Sequence, residues 1–235
     1  RKRVCLGNRP SASPPSRSAL SLFDSASADF CLYWNAEQIA CAEIGALGIL
    51  APGQCIDRTV ALHRAATIPA ENLRLADDQA QTLRRHADLL LAAQLLGLAE
   101  GALEVAVAYA KLRTQFGEPI GSFQAIKHRC ADMKVRTKVL NALVLMAALS
   151  EHEGRDDAAA QIAAARLLAS RYAIENAAAG IQIHGAMGFT AECDAHLFLL
   201  RAHLLDNVGS TTTEREVEMA SLPLGLTMNL EHVAR

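Results

Sequence analysis

The stretch QTLRRHADLLLAAQLLGLAEGALEVAVAYAKLR, residues 81–113, constrains the fold of this chain more than any other. Its apolar residues recur at three- and four-residue spacing, and most of its residues are strong helix formers. The pattern predicts one long helix that ends near Arg113. A helix this long and apolar has to bury a stripe of its surface, so other helices must pack along it.

The same spacing predicts four further helices. The first runs from near Phe123 through FQAIKHRCADMKVRTKVLNALVLMAALSEH, and EGRDD at 153–157 ends it. The second runs through AAAQIAAARLLASRYAIENAAAGIQIHG until Gly185 and Gly188 stop it. The other two span residues from just after 190 to about 207, and 213–221. Long helices joined by short loops are typical of an antiparallel bundle.

Residues 1–77 have a different character. Short apolar runs, ALSLF, FCLYW and TVALH, are separated by Ser, Pro, Gly and Asp, which favour turns. APGQ at 51–54 is predicted as a turn, and RPSASPPSRS at 9–18 as a loop. The sequence therefore predicts an α+β chain that is mostly α. A small, partial β domain over residues 1–77 precedes an antiparallel helical bundle over 78–235.

Composition excludes several classes of protein. The 235 residues carry a formal net charge of −2 and only 4% aromatic residues, which argues against a nucleic-acid-binding protein. No apolar run reaches the roughly 18 residues of a membrane-spanning helix, and the basic start lacks the apolar core of a secretory signal. The six cysteines form no C-x-x-C pair, so no metal site is expected. Reduced thiols and a cytoplasmic location are the expectation.

The segment RTQFGEPIGSFQ, residues 113–124, separates the first two predicted helices. A guanidinium binds phosphate oxygens through paired hydrogen bonds, and an amide can bind a nucleotide edge or a ribose. The candidate binding residues here are Arg113, Gln115, Phe116 and Gln124. The alternative is that Arg113 only complements the negative end of a helix dipole.

A second candidate segment, GIQIHGAMGFT, spans residues 180–190. Gln182 and His184 precede a glycine-bearing break, and Thr190 is a good N-cap for the next helix. Helix N-termini suit phosphate groups. A packed or capped histidine and a plain loop between helices are the alternatives, and the residues alone leave both open.

Together, AYAKLRTQFGEPIGSFQAIKHRCADM and the later IQIHGAMGFT resemble the C-terminal half of an acyl-CoA dehydrogenase. That family shows an R-x-Q-F-G-x-x-I-x-x-x-Q run and, later, a Q-x-x-G-G-x-G-(F/Y) run. The resemblance covers residues 80 to about 220. Residues 18–77, which end in IPAENL, are compatible with the family's middle β domain, whereas no counterpart of its N-terminal helical domain is expected.

The resemblance implies that the chain binds FAD across a subunit interface. Arg113 would bind the pyrophosphate, and Gln115, Phe116 and Gln124 would line the adenosine side. Gln182 and Gly185 would contact the FAD of the neighbouring subunit. The implied partners are an acyl-CoA substrate, a second acyl-CoA dehydrogenase subunit of the same or another kind, and an electron-acceptor flavoprotein.

The sequence departs from the family at the catalytic base, a glutamate that takes the α-proton of the acyl group. Val208 in DNVGSTTT stands at its usual position, and Ala87 stands at the alternative position on the first long helix. Ala186 also replaces the second glycine of the Q-x-x-G-G run. Asp88 follows Ala87, but a shift of one residue turns a helical side chain by about 100°, so Asp88 is expected to face elsewhere.

Glu192 is the other candidate base, and it is expected at the start of the fourth helix. It belongs to an F-T-x-E-x-D-x-H-L run that is similar to steroid side-chain members of actinobacteria, which often pair unlike subunits. The expected function is therefore FAD-dependent α,β-dehydrogenation of an acyl-CoA by the assembly, with this chain lacking the usual glutamate. The alternatives are a competent dehydrogenase with a relocated base, a non-catalytic or FAD-free helical partner, and a flavin monooxygenase of the same fold.

Overall fold

A computed structural model describes residues 3–8, 20–34, 39–48, 50–65, 73–74 and 76–222. They form a small mixed β-sheet followed by a helical bundle, which confirms the predicted fold class. The predicted loop at 9–18 lies outside the described residues.

The described part of the chain contains five α-helices: α1 Asp77–Leu112, α2 Gln124–His152, α3 Ala158–His184, α4 Ala195–Asp206 and α5 Thr212–Ser221. Four of them begin and end within a few residues of the predicted bounds. The exception is α4, which was expected just after Thr190. Residues Gly185–Phe189 instead form a 3-10 segment, and Thr190 ends it by donating its hydroxyl hydrogen to the Met187 carbonyl oxygen at 2.9 Å.

The sheet has seven strands: β1 Val4–Asn8, β2 Leu20–Phe23, β3 Phe30–Trp34, β4 Ile39–Glu43, β5 Leu50–Gly53, β6 Leu62–Ala65 and β7 Leu73–Arg74. Their order is β5-β6-β2-β1-β3-β4-β7, and β1 runs parallel to β3. The predicted turn APGQ is wrong, because its first three residues belong to β5. Pro52 is tolerated there because β5 is an edge strand and needs no second ladder bond.

Alanine-rich faces bring α1 and α3 close together. Ala99 and Ala106 of α1 are fully buried, as are Ala165 and Ala169 of α3. Small side chains allow helix backbones to approach, and the cost of a larger residue in such a core is high. By length and composition alone, α1 could cross a membrane. The core helix of a globular protein can have the same length and composition. α1 packs against α2, α3 and α4, as a core helix does.

The sheet and the bundle share one apolar core and one buried ion pair. Ile39 of β4 packs in the same cluster as Leu91 of α1. Asp57 is 2% exposed, pairs with Arg201 of α4 and accepts hydrogen bonds from the backbone and hydroxyl of Thr59 at 2.9 and 2.7 Å. Burial raises the pKa of Asp57, but these hydrogen bonds and the guanidinium outweigh it and hold the pKa below its usual value. The ion pair therefore joins the connection between β5 and β6 to α4.

Candidate functional site

The segment 113–124 forms a short hairpin at one end of the bundle. β8 Thr114–Gln115 pairs with β9 Glu118–Pro119, and Phe116 and Gly117 form the turn with φ of 55° and 85°. Left-handed backbone is costly for a bulky residue. The Phe116 side chain is 94% exposed and meets Phe123 edge to face, with ring centroids 6.1 Å apart. A large aromatic side chain is thus held out in solvent at the tip.

Backbone hydrogen bonds fix this hairpin on the end of α1. The Arg113 amide donates to the Tyr109 carbonyl oxygen, and the Arg113 carbonyl oxygen accepts from the Ile120 amide, both at 2.8 Å. At Gly121 a Cβ would lie 3.0 Å from the Ala110 carbonyl oxygen, so glycine permits this close approach. The side chains of Arg113, Gln115 and Gln124 are all exposed, and within the described residues Arg113 forms no ion pair.

The second candidate segment lies at the same end of the bundle. The His184 ring stacks on Tyr109 of α1, with centroids 4.3 Å apart. Its Nδ1 donates to the Gly180 carbonyl oxygen at 2.7 Å, so His184 is a packed, capped histidine. Gln182 is exposed, and Gly185 ends α3 with a φ of 63°. The structure therefore brings the predicted cofactor residues of both segments to one end of the molecule.

Position 188 of the 3-10 segment requires glycine, whereas position 186 does not. A Cβ at Gly188 would lie 2.6 Å from the Ile181 carbonyl oxygen, so no side chain fits there. Ala186 is exposed, and its methyl group is accommodated in solvent. This explains how the chain tolerates alanine in place of the second family glycine while keeping glycine at 188.

We predict that Gly188→Ala lowers the free energy of unfolding by about 1–3 kcal/mol, because the clash is with backbone that must shift. Gly97→Ala is the matched control. Gly97 lies exposed in α1 with no atom within 4 Å of a built Cβ, so alanine there should stabilise by about 0.4–1 kcal/mol. Urea unfolding midpoints measure both, and equal effects of the two substitutions would contradict the packing argument.

Val208, the usual family position for the base, and the candidate Glu192 lie at opposite ends of α4. Val208 is 4% exposed and packs in the bundle core with Leu205. Glu192 is exposed in the turn before α4. The 12 residues of α4 separate them, which is about 18 Å along a helix. Glu192 does not open a helix, contrary to expectation, because the 3-10 segment and a turn delay the start of α4 to Ala195.

Asp88 and Ala87 border the same cavity, although Asp88 was expected to face elsewhere. A cavity of about 40 Å³ between the sheet and α1 is lined by both Ala87 and Asp88, together with Leu6, Leu32, Ile39, Leu83, Arg84 and Ser210. The side chains of Ala87 and Asp88 do point about 100° apart around α1. The cavity nevertheless extends along α1 from Leu83 to Asp88, so both residues line it. Ser210, two residues after Val208, completes the wall.

Asp88 belongs to a buried charge network. Its Oδ1 lies 3.6 Å from Nε of Arg166, which is fully buried in α3. Arg166 also donates to the Ser170 hydroxyl and to the carbonyl oxygens of Leu205 and Val208, the latter two at 2.7 and 3.5 Å. Burial raises the pKa of Asp88 despite the opposing charge of Arg166, and burial lowers the pKa of Arg166 to about 10.

A second buried arginine adjoins the first. Arg215 of α5 is 3% exposed, pairs with Asp206 and donates to the Asp206 carbonyl oxygen at 2.9 Å. Sequence reasoning missed both arginines. A signal was present for Arg166, since it stands alone among alanines and leucines at a core-facing spacing of the third helix. No group of three residues able to hold a metal ion occurs in the part of the chain that is described.

Comparison with known proteins finds one family model. Residues 78–212 match the model described as acyl-CoA dehydrogenase, C-terminal domain. The chain is 36% identical to acyl-CoA dehydrogenase FadE34 of Mycobacterium tuberculosis over 176 residues, which are 72% of this chain and 23% of that protein. It is 46% identical to acyl-CoA dehydrogenase IpdE2 of the same organism over 117 residues, 50% of this chain and 35% of that protein. The chain thus spans well under half the length of these relatives.

Solved structures share the fold. Butyryl-CoA dehydrogenase from Megasphaera elsdenii matches with a TM-score of 0.74 at 24% identity, over 93% of this chain and 67% of that one. The ChsE4-ChsE5 complex from Mycobacterium tuberculosis matches with a TM-score of 0.71 at 23% identity, over 93% and 63%. At these identities the likeness concerns the fold.

Proposed function

Since this chain belongs to the acyl-CoA dehydrogenase family, we propose that it is a flavoprotein subunit of an assembly that dehydrogenates an acyl-CoA at its α and β carbons. The single observation that carries the proposal is the exposed end of the bundle. There a guanidinium that forms no ion pair within the described residues, two amides and an aromatic ring stand together in solvent, at Arg113, Gln115, Gln124 and Phe116.

These residues fit the chemistry of FAD. The pyrophosphate carries negative charge, which the fork of Arg113 complements, and the adenine offers a flat face and polar edges for Phe116 and the amides. When bound, the flavin would supply the acceptor for the hydrogen that leaves the β carbon. The role of Arg113 and its neighbours is to bind and orient the cofactor.

Gln182 and Gly185 lie at the same end, and we assign them to the cofactor of a neighbouring subunit. The exposed ring of Phe116 and the exposed Phe189, 77% accessible, favour a surface that another chain covers. The ChsE4-ChsE5 complex, a structural neighbour, contains two named proteins, and we propose an assembly with an unlike acyl-CoA dehydrogenase subunit. An electron-acceptor flavoprotein would then reoxidise the cofactor.

Neither family position supplies a base in this chain. Ala87 carries no proton acceptor, and Val208 is both apolar and buried. Glu192 is exposed near the opposite end of α4. The α-proton must therefore go to another group of this chain or to the partner subunit.

We predict that Arg113→Ala weakens FAD retention at least about tenfold, because it removes a charge-assisted contact worth about 1.5–3 kcal/mol. Arg171→Ala is the control, since Arg171 is an exposed arginine of α3 that pairs only at the surface with Glu175 at 2.8 Å. Flavin content after serial dilution and filtration measures the effect. Equal retention in Arg113→Ala and the parent would contradict the phosphate role, and a parent that never holds flavin would favour the FAD-free partner.

We predict that the chain forms a dimer or larger assembly when it carries flavin. One face of α2 exposes five large apolar side chains: Val135, Val139, Leu145, Met146 and Leu149. Covering such a face is favourable by about 25 cal/mol for each Å² of apolar area. Light scattering coupled to flavin absorbance measures the state, and a stable flavin-bearing monomer would contradict the prediction.

A further inference from the structure

Asp88 stands on a wall that two cavities share. A larger cavity of about 460 Å³ lies among α1, α3, α5 and Ile39 of β4. It shares Ile39, Arg84 and Asp88 with the smaller cavity beside Ala87 and Ser210. The larger cavity has room for an acyl group, and the smaller one is lined by Ala87, one of the two positions where the family places its base. Asp88 is the carboxylate common to the two.

Charged groups surround Asp88 from every helix packed against it. Arg84 lies on α1, Arg166 on α3, and Arg215 and Glu218 on α5. Three cations against one other anion favour the ionised carboxylate, which is the form that accepts a proton. Burial opposes ionisation and raises the pKa of Asp88. The site therefore holds a carboxylate that is more basic than an exposed aspartate, as proton abstraction requires.

The two oxygens of Asp88 have different surroundings. Oδ1 is the atom that faces Arg166, at 3.6 Å from Nε. Within the described residues no hydrogen bond holds Oδ2. The Asp88 side chain is 24% exposed, so it reaches the cavity space and can exchange a proton with solvent. At this distance Arg166 attracts Oδ1 by charge without a hydrogen bond, and within the described residues its Nε has no hydrogen-bond partner, so both carboxylate oxygens are left to meet a substrate.

We propose that Asp88 accepts the α-proton of an acyl thioester bound in the larger cavity. The inference rests on the proposed acyl-CoA dehydrogenase function and names the proton acceptor of the same site. The α C–H bond breaks, its electron pair forms the thioester enolate, and the proton moves to Oδ2 of Asp88. In D2O the acid exchanges with solvent, and reversal of the step returns a deuteron to the α carbon.

The test is α-proton exchange of phenylacetyl-CoA in D2O, followed by mass spectrometry. This thioester has no removable β hydrogen, so the measurement reports proton transfer without hydride transfer. The FAD-loaded chain is used together with any subunit that co-purifies with it. General-base catalysis contributes about 10²–10⁴-fold, so Asp88→Asn should slow exchange at least about 100-fold. Asp88→Glu should restore part of the rate, and exchange should rise with pH through the raised pKa of Asp88.

Asp78→Asn is the matched control, because Asp78 is an exposed carboxylate in the first turn of α1 that lines neither cavity. Its exchange rate should stay within about threefold of the parent. Undiminished exchange in a folded, flavin-bearing Asp88→Asn variant would overturn the inference and assign proton abstraction to another group of this chain or to the partner subunit, while leaving the proposed function intact. Failure of the parent to bind phenylacetyl-CoA, checked by equilibrium dialysis, would overturn it too. If longer acyl-CoA probes also fail to bind, the acyl-CoA part of the proposed function fails with it.

Discussion

Replacing Arg166 by alanine is expected to lower the free energy of unfolding by about 3–5 kcal/mol, because breaking a buried ion pair leaves the other charge uncompensated. Arg166 is fully buried, lies 3.6 Å from Asp88 and donates to the Ser170 hydroxyl and to the carbonyl oxygens of Leu205 and Val208. Its removal leaves the Asp88 charge without its buried counter-charge, takes a donor from these acceptors, of which the Leu205 carbonyl keeps the Val208 amide, and opens a void. Chemical unfolding followed by circular dichroism gives the free energy.

Two variants separate charge from volume. Arg166→Met keeps most of the side-chain volume but no charge, and it should fall between alanine and the parent. Asp88→Asn combined with Arg166→Met should cost less than the sum of the single changes by about 0.5–3 kcal/mol, because the unpaired carboxylate is gone. Additive losses would show that Asp88 and Arg166 do not interact.

The same pair gives a pH dependence with a definite sign. The folded-state pKa of Asp88 lies above its ordinary value of 3.8, so this group contributes stability below that value and loses it as pH rises through the folded pKa. Without Arg166 the pKa should rise further. The deficit of Arg166→Ala relative to the parent should therefore shrink as pH falls from about 7 to about 4. A deficit that stays constant over this range would contradict the argument.

Helices were the part of this fold that the sequence predicted best, since long apolar periodicity leaves few alternatives. The start of α4 was missed because a glycine with left-handed backbone at 185 and the tight contact at Gly188 stabilise a 3-10 segment. Such a segment depends on tertiary contacts with Ile181, which local sequence does not reveal. Strand β5 was missed for a related reason, because Pro52 is acceptable only at the edge of a sheet.

For both candidate regions, the sequence predicted which residues matter but not the side chains and cavities that surround them. The motif around Arg113 located the exposed hairpin, since a break between two long helices has to lie at the end of the bundle. Helical geometry alone predicted that Asp88 faces away from Ala87, whereas one cavity borders both residues. The buried partner Arg166 lies 78 residues away in sequence, which no spacing rule connects to Asp88.

Val208→Glu is expected to destabilise the protein and to add no dehydrogenase activity. Although the family usually has its glutamate here, Val208 is 4% exposed and does not line either cavity beside Asp88. A longer side chain would overpack the core, and its carboxyl group would be buried, at a combined cost of at least about 2 kcal/mol. The new carboxyl group should stay protonated over a wider pH range than an exposed one.

Val208→Gln is the matched control, because it has the same length without the charge. Both variants should unfold at lower denaturant concentration than the parent, but only Val208→Glu should gain stability as pH falls through its raised pKa. Acyl-CoA oxidation and the unfolding midpoint are measured on one preparation. If Val208→Glu gains activity on the order of 10²-fold with an unchanged midpoint, position 208 faces the acyl group after all. The usual geometry of the family would then hold in this chain, and Asp88 would lose its place as the proton acceptor.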